Sequence, residues 1–167
     1  MLKTLFHKLL EMKILILLLT IAVTNYSITK TSIEKERNLL KTKYLSNENK
    51  SEIIDEAKVK LTDYLYHDII NHWYTTKWSF EGHSETPKQG TIACGYFVST
   101  TLRDVGFNLN RYKLAQKSPE DEAKVIACGI SIEKLQNVSK QELKKYLKKK
   151  KDGIYFIGLD FHVGYIY

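Results

Sequence analysis

Two side chains in this sequence carry the chemistry of a nucleophile and a base. Cys94 opens the segment Cys94 to Val105, in which Phe97, Val98, Thr101, Leu102 and Val105 fall on one helical face and Gly106 is placed to end the helix. A thiol attacks as its thiolate, and the free N–H groups and dipole of a helix's first turn favour that form. The spacing predicts Cys94 in that turn. A second group must then hold the proton and return it to the leaving group. His162, in the late apolar segment HVGYIY, is the candidate. Spacing alone does not bring the two together, so the elements between them must.

From Ser51, an expected N-cap, Ile54, Ala57, Leu61, Leu65 and Ile69 recur near helical spacing, which predicts a helix to about Asn71. Trp73 to Phe80 is aromatic and reads as a strand, followed by the loop EGHSETPKQG. A second helix is expected over Pro119 to Cys128, with proline at the position that starts helices well and Cys128 as a small core residue. Ser139 with Glu142 forms a capping box that opens a third helix, which Asp152 and Gly153 end. IYFIGL and HVGYIY then read as two antiparallel strands. Helices come first and strands last, an α+β order.

The chain has 167 residues, which suits one domain. Its formal charge of +7 is concentrated in the lysines at 144, 145 and 148–151, so the excess is local and no nucleic-acid partner is expected. That lysine run reads as a solvated helix end. Ile14 to Val23, ILILLLTIAV, is an uncharged apolar run preceded by Lys3, Lys8 and Lys13. This is the layout of an export signal, with Ala22 and Thr24 as the small pair near a cleavage site, and it is short for a spanning helix. Residues 1–27 are therefore read as a signal peptide or N-terminal anchor offering membrane contact, 28–50 as a linker and 51–167 as the domain. Export to the periplasm, the cell envelope or the medium follows from that reading. Cys94 and Cys128 lack the paired spacing of zinc sites, and His67, His72 and His83 do not share a helical face, so no metal is expected.

Around Cys94 and His162 the residues form a longer pattern. Trp78 and Gly82 precede a loop; Ala93, Cys94, Gly95, Tyr96, Phe97 and Val98 open the helix; Arg111 and Gln116 follow it; and His162, Val163, Gly164, Tyr165 and Ile166 come late. This pattern, covering about half the chain, resembles the NlpC-type papain-like cell-wall cysteine peptidases. In that family Asp-Cys-Ser-Gly-Phe-Val opens the nucleophile helix and His-Val-Gly-Ile-Tyr supplies the base. The resemblance implies a single papain-like domain with the nucleophile helix packed on an antiparallel sheet. It also implies catalysis by Cys94 and His162 without a cofactor, Trp78 and Tyr96 at the substrate, and hydrolysis of an amide bond, most directly in peptidoglycan stem peptides. Ala93 stands where the family has Asp, and Gly95 with Tyr96 replaces Ser-Gly, so the hydrogen bonding around the thiol must differ. The family's third polar residue follows on a later strand, and the sequence reaches Tyr167 before one, so the domain is expected to be C-terminally incomplete or to lack that member. Two alternatives stay open. One is a catalytically inactive papain-like binding module, and the other an unrelated secreted protein stapled by a Cys94 to Cys128 disulfide.

Overall fold

A computed structural model describes the backbone of residues 2–167 and the side chains of residues 7–17 and 25–167. The first element is a single helix, α1 (Leu2–Ser46), continuous through the apolar run and through the stretch read as a linker. The end of the apolar run, residues 18–24, lies outside the described side chains. Among the described residues no helix is long and apolar enough to cross a membrane.

Within the stretch read as a linker, 28–50, α1 is packed against the rest of the chain. Tyr26 and Ile33, seven residues apart and so on one helical face, are 3% and 2% exposed and belong to the core. The Tyr26 hydroxyl donates to Asp104 Oδ2 at 2.7 Å and accepts from Trp73 Nε1 at 3.1 Å. Further along α1, Glu36 accepts from Lys60 Nζ at 3.0 Å and from the Tyr64 hydroxyl at 2.9 Å. These two hydrogen bonds hold the Glu36 carboxyl below its ordinary range. Arg37 Nη2 donates to the Gly106 carbonyl at 2.9 Å. Polar contacts thus fasten a helix whose apolar positions are too sparse to announce a buried face.

α2 (Lys50–Asp63) starts two residues earlier than Ser51 would set it, because the Asn49 side chain accepts from the Glu52 N–H and serves as the cap. The helical path then widens into a π-helical segment (Tyr64–Ile69) and closes with α3 (Ile70–Trp73). Tyr64, Leu65, Ile69 and Trp73 are all buried. Trp73 therefore ends a helix and does not begin a strand. The strand expected over Trp73 to Phe80 is reduced to β1 (Lys77–Trp78), which pairs in parallel with β2 (Thr91–Ile92), Trp78 opposite Ile92.

α4 (Cys94–Asp104) is the central element, and it starts where the sequence places it. Val98, Thr101, Leu102 and Val105 are buried as expected, and so are Ser99 and Thr100 outside that face. Those hydroxyls are satisfied inside the helix, Thr100 Oγ1 donating to the Tyr96 carbonyl at 2.5 Å and Thr101 Oγ1 to the Phe97 carbonyl at 2.9 Å. The helix can therefore be covered on both sides. A short α5 (Arg111–Ala115), absent from the sequence reading, crosses it so closely that a Cβ on Gly95 would lie 2.5 Å from the Ala115 carbonyl oxygen. α6 (Pro119–Ile126) is capped by Ser118, and α7 (Lys140–Leu147) has the full capping box of Ser139 and Glu142. β3 (Tyr155–Gly158) and β4 (Val163–Ile166) pair antiparallel, Gly158 opposite Val163. The fold is mixed helix and small sheets, in agreement with the α+β order.

Candidate active site

Cys94 is the first residue of α4, a half-buried free thiol. Its neighbour Ala93 occupies the N-cap with no side-chain acceptor, so no side chain caps the first-turn N–H groups. The Ala93 N–H donates to the Gly82 carbonyl at 2.8 Å and its carbonyl accepts from Phe97 N at 2.8 Å, which fixes the entry of the chain into the helix. Gly82 is required there, since a Cβ would stand 2.5 Å from the Ile92 nitrogen.

His162 lies in the β3–β4 turn, immediately before β4, where its carbonyl accepts from Leu159 N at 2.7 Å. The hairpin is docked on α4 through Tyr165. Its hydroxyl is 2.9 Å from Thr101 Oγ1 and 3.3 Å from the Val98 carbonyl, and its ring meets Phe97 edge-on at 6.0 Å. Trp78 joins the two halves. Its backbone pairs with Ile92, two residues before Cys94, and its indole meets the His162 imidazole edge-on with centroids 6.2 Å apart. Adjacent paired strands run about 4.8 Å apart, so the Trp78 backbone lies beside the segment that leads into Cys94 while its ring meets the histidine. Trp78 is 59% exposed, and Phe80, two residues beyond it, and Phe161, next to His162 in sequence, are exposed as well. Among the described residues no acceptor is hydrogen-bonded to the His162 ring, and the Trp78 indole is the aromatic ring that meets it.

Tyr96, expected at the substrate, lies in the first turn of α4. Its ring lies beneath the Arg111 guanidinium at 4.6 Å and its hydroxyl accepts from Gln116 Nε2 at 3.5 Å, so the phenol belongs to a packed aromatic and cationic stack. Arg111 is buried and donates through Nε to Thr100 Oγ1 at 2.6 Å and through Nη2 to the carbonyls of His83 and Ser84 at 2.8 and 2.9 Å. It thereby ties the loop before β2 to α4 and α5. The loop residues Glu81, His83, Ser84, Gln89, Gly90 and Thr91 line an open depression that ends three residues before Cys94. The His83 ring is 6.3 Å from that of Tyr96.

Cys128 is corrected from core to surface. α6 ends at Ile126, and Cys128 is exposed with a φ of +50° just beyond it. Both cysteines are free, and the alternative Cys94 to Cys128 bridge is not formed.

Sequence reasoning missed Glu122. It lies in the first turn of α6, where an acidic residue ordinarily faces water and the positive end of the dipole, yet it is 1% exposed and its Oε1 has no hydrogen-bond partner. Burial alone pushes its carboxyl up to about 8. Burial pushes the Tyr165 hydroxyl upward, against the opposing hydrogen bond with Thr101, and the Glu122 carboxylate adds a smaller push in the same direction as burial. Nothing in the pattern PEDEAKVI distinguishes Glu122 from Glu120 and Asp121 beside it. Among the described residues no three histidine, cysteine or acidic side chains converge as a metal site would require.

Comparison with known proteins adds no relative: no family model matches the chain, and neither a curated protein nor a solved structure matches it.

Proposed function

We propose that this protein is an exported papain-like cysteine hydrolase that cleaves an amide bond, with peptidoglycan stem peptides as the substrate class. The observation that carries the reading is the convergence on Trp78. Its strand pairs beside the entry to Cys94, its ring meets His162, and the hairpin that bears His162 is packed on the helix that Cys94 opens. The residues quoted in the family pattern supply the substrate class.

In the proposed reaction the Cys94 sulfur attacks the amide carbonyl, forming a C–S bond, and His162 takes the thiol proton. The uncapped N–H groups of the first turn of α4 stabilise the oxyanion. Collapse of the tetrahedral intermediate breaks the C–N bond, and His162 returns the proton to the departing amine. Water, deprotonated by the same imidazole, then hydrolyses the thioester and frees Cys94. Trp78 forms one wall of the substrate groove and restrains the imidazole.

The test is release of soluble peptides from purified peptidoglycan by the full chain and by Cys94→Ala. Release that is lost in the variant supports the hydrolase, whereas equal release by both, or none by either, removes it. A second reading, a binding module of the same fold, draws support from the His162 ring having an aromatic neighbour in place of a hydrogen-bonding orienter. It predicts retention on peptidoglycan by both proteins with no peptide released.

A further inference from the structure

The apolar start of α1 is usually separable from a folded domain only where the chain between them is extended and exposed. Here it is neither. The backbone is helical through Ala22 and Thr24, the small pair nearest a cleavage site, and the same helix carries Tyr26 and Ile33 directly into the core. Proteases cut where backbone is exposed and free of regular hydrogen bonding. Tyr26, two residues beyond Thr24, is bonded to both Asp104 and Trp73.

The exposed apolar side chains at the start of α1 are not confined to one side, and beyond Lys13 no charged residue stands among them. Leu9, Leu10, Met12, Ile14, Leu15 and Ile16 are all exposed. At about 100° per residue they point to roughly 0°, 100°, 300°, 140°, 240° and 340° around the axis, taking Leu9 as the origin. A protein groove covers one face of a helix, whereas side chains distributed around the whole circumference call for an apolar medium on every side. The sequence from Ile14 to Thr29 carries no charge, and Lys8 and Lys13 stand before it, which suits anionic headgroups at one boundary.

We propose that the apolar start of α1 is not removed but stays in a lipid bilayer containing anionic lipid, and that α1 holds the domain at that surface as one continuous helix. The occupant of the exposed apolar surface is lipid, not a protein partner or a second copy. The inference stands on α1 alone and does not depend on the hydrolase reading.

The experiment expresses the full chain in bacterial cells, washes the membranes with alkaline carbonate and determines the N-terminal sequence of the retained protein. The protein should remain in the washed membrane with residues 14–27 present. The double variant Leu15→Lys, Ile16→Lys places two charges in the apolar segment, away from the core, and should shift the protein into the soluble fraction by about a hundredfold or more. Detergent-purified full chain should also co-float with vesicles of phosphatidylethanolamine and phosphatidylglycerol, and the double variant should not. If the lysine variant is lost to degradation, this flotation by the unaltered chain still decides. Recovery of a soluble protein that begins after Val23, or absence of flotation, overturns the proposal. Protease treatment of intact cells separates this inference from the function. A domain shielded inside the cell refutes the cell-wall reading and leaves the anchor standing.

Discussion

Glutamine in place of Glu122 should flatten the alkaline side of the stability profile. Glu122 has an ordinary carboxyl value near 4.5 in the unfolded chain and about 8 in the folded protein, with burial as the cause. Between those values the folded protein holds a proton that the unfolded chain has released. The stabilisation is therefore complete below pH 4.5 and is lost as pH rises toward 8. Each unit corresponds to about 1.4 kcal/mol, which gives an upper bound of about 5 kcal/mol, and relaxation and water entry around the charged form reduce this to about 2 kcal/mol. Glutamine keeps the shape and is neutral at every pH. Glu122→Gln should match the wild type near pH 4 and exceed it by about 2 kcal/mol at pH 9, or roughly 4–8 °C in Tm. The assay is urea unfolding of the full chain in mild detergent at several pH values, followed by the fluorescence of buried Trp73. Other titrating groups are common to both proteins and cancel in the difference. Parallel profiles from pH 5 to 9 would refute the reasoning, because a solvated Glu122 has no such linkage.

Arg111→Ala should cost about 3 kcal/mol, since it removes the donor to Thr100 and to the carbonyls of His83 and Ser84, and amide exchange in the loop before β2 should quicken selectively. Unchanged exchange there would show that the loop is held by other contacts. Gly95→Ala should cost about 1–3 kcal/mol, because the added methyl meets the Ala115 carbonyl and α5 has to move. A neutral effect in thermal unfolding would show that α4 and α5 are less closely packed. Ser139→Ala should lower the helicity of α7 at a cost of about 1 kcal/mol, with the core unaffected, because its capping box is exposed. Loss of helicity beyond α7, seen by circular dichroism, would contradict that local effect.

The elements that sequence reasoning read well are those with complete local signals. α4 has apolar spacing and a terminating glycine, α7 has a reciprocal cap, and the last two apolar runs are separated by a short turn. α1 was obscured because its buried face consists of a few positions, with Tyr26 and Ile33 as anchors and Glu36 and Arg37 fastened by tertiary hydrogen bonds. The spacing of Leu61, Leu65 and Ile69 reads as one continuous helix and gives no sign of the π-helical turn between Tyr64 and Ile69. β1 and β2 have two residues each, too few for alternation to register, and their parallel pairing joins residues fourteen apart. At the site, the placement of Cys94 was legible because helix starts are local. The contact of Trp78 with His162 was not, because it depends on how the hairpin docks through Tyr165. Glu122 was hidden because burial is a tertiary property and its local position favours an exposed acid.

The central claim is that Cys94 and His162 act as one unit. It is tested most directly by measuring iodoacetamide labelling of Cys94 and of Cys128, peptide by peptide, in the native full chain and in His162→Ala across pH 5.5 to 9. Exposed Cys128 serves as the internal standard. At pH 6.5 Cys94 should label faster than Cys128 in the wild type despite being the less exposed thiol, and His162→Ala should slow Cys94 about tenfold or more while leaving Cys128 unchanged. A Cys94 rate that follows the same pH profile with and without His162 would contradict the pairing and leave Cys94 as an ordinary helix-start thiol.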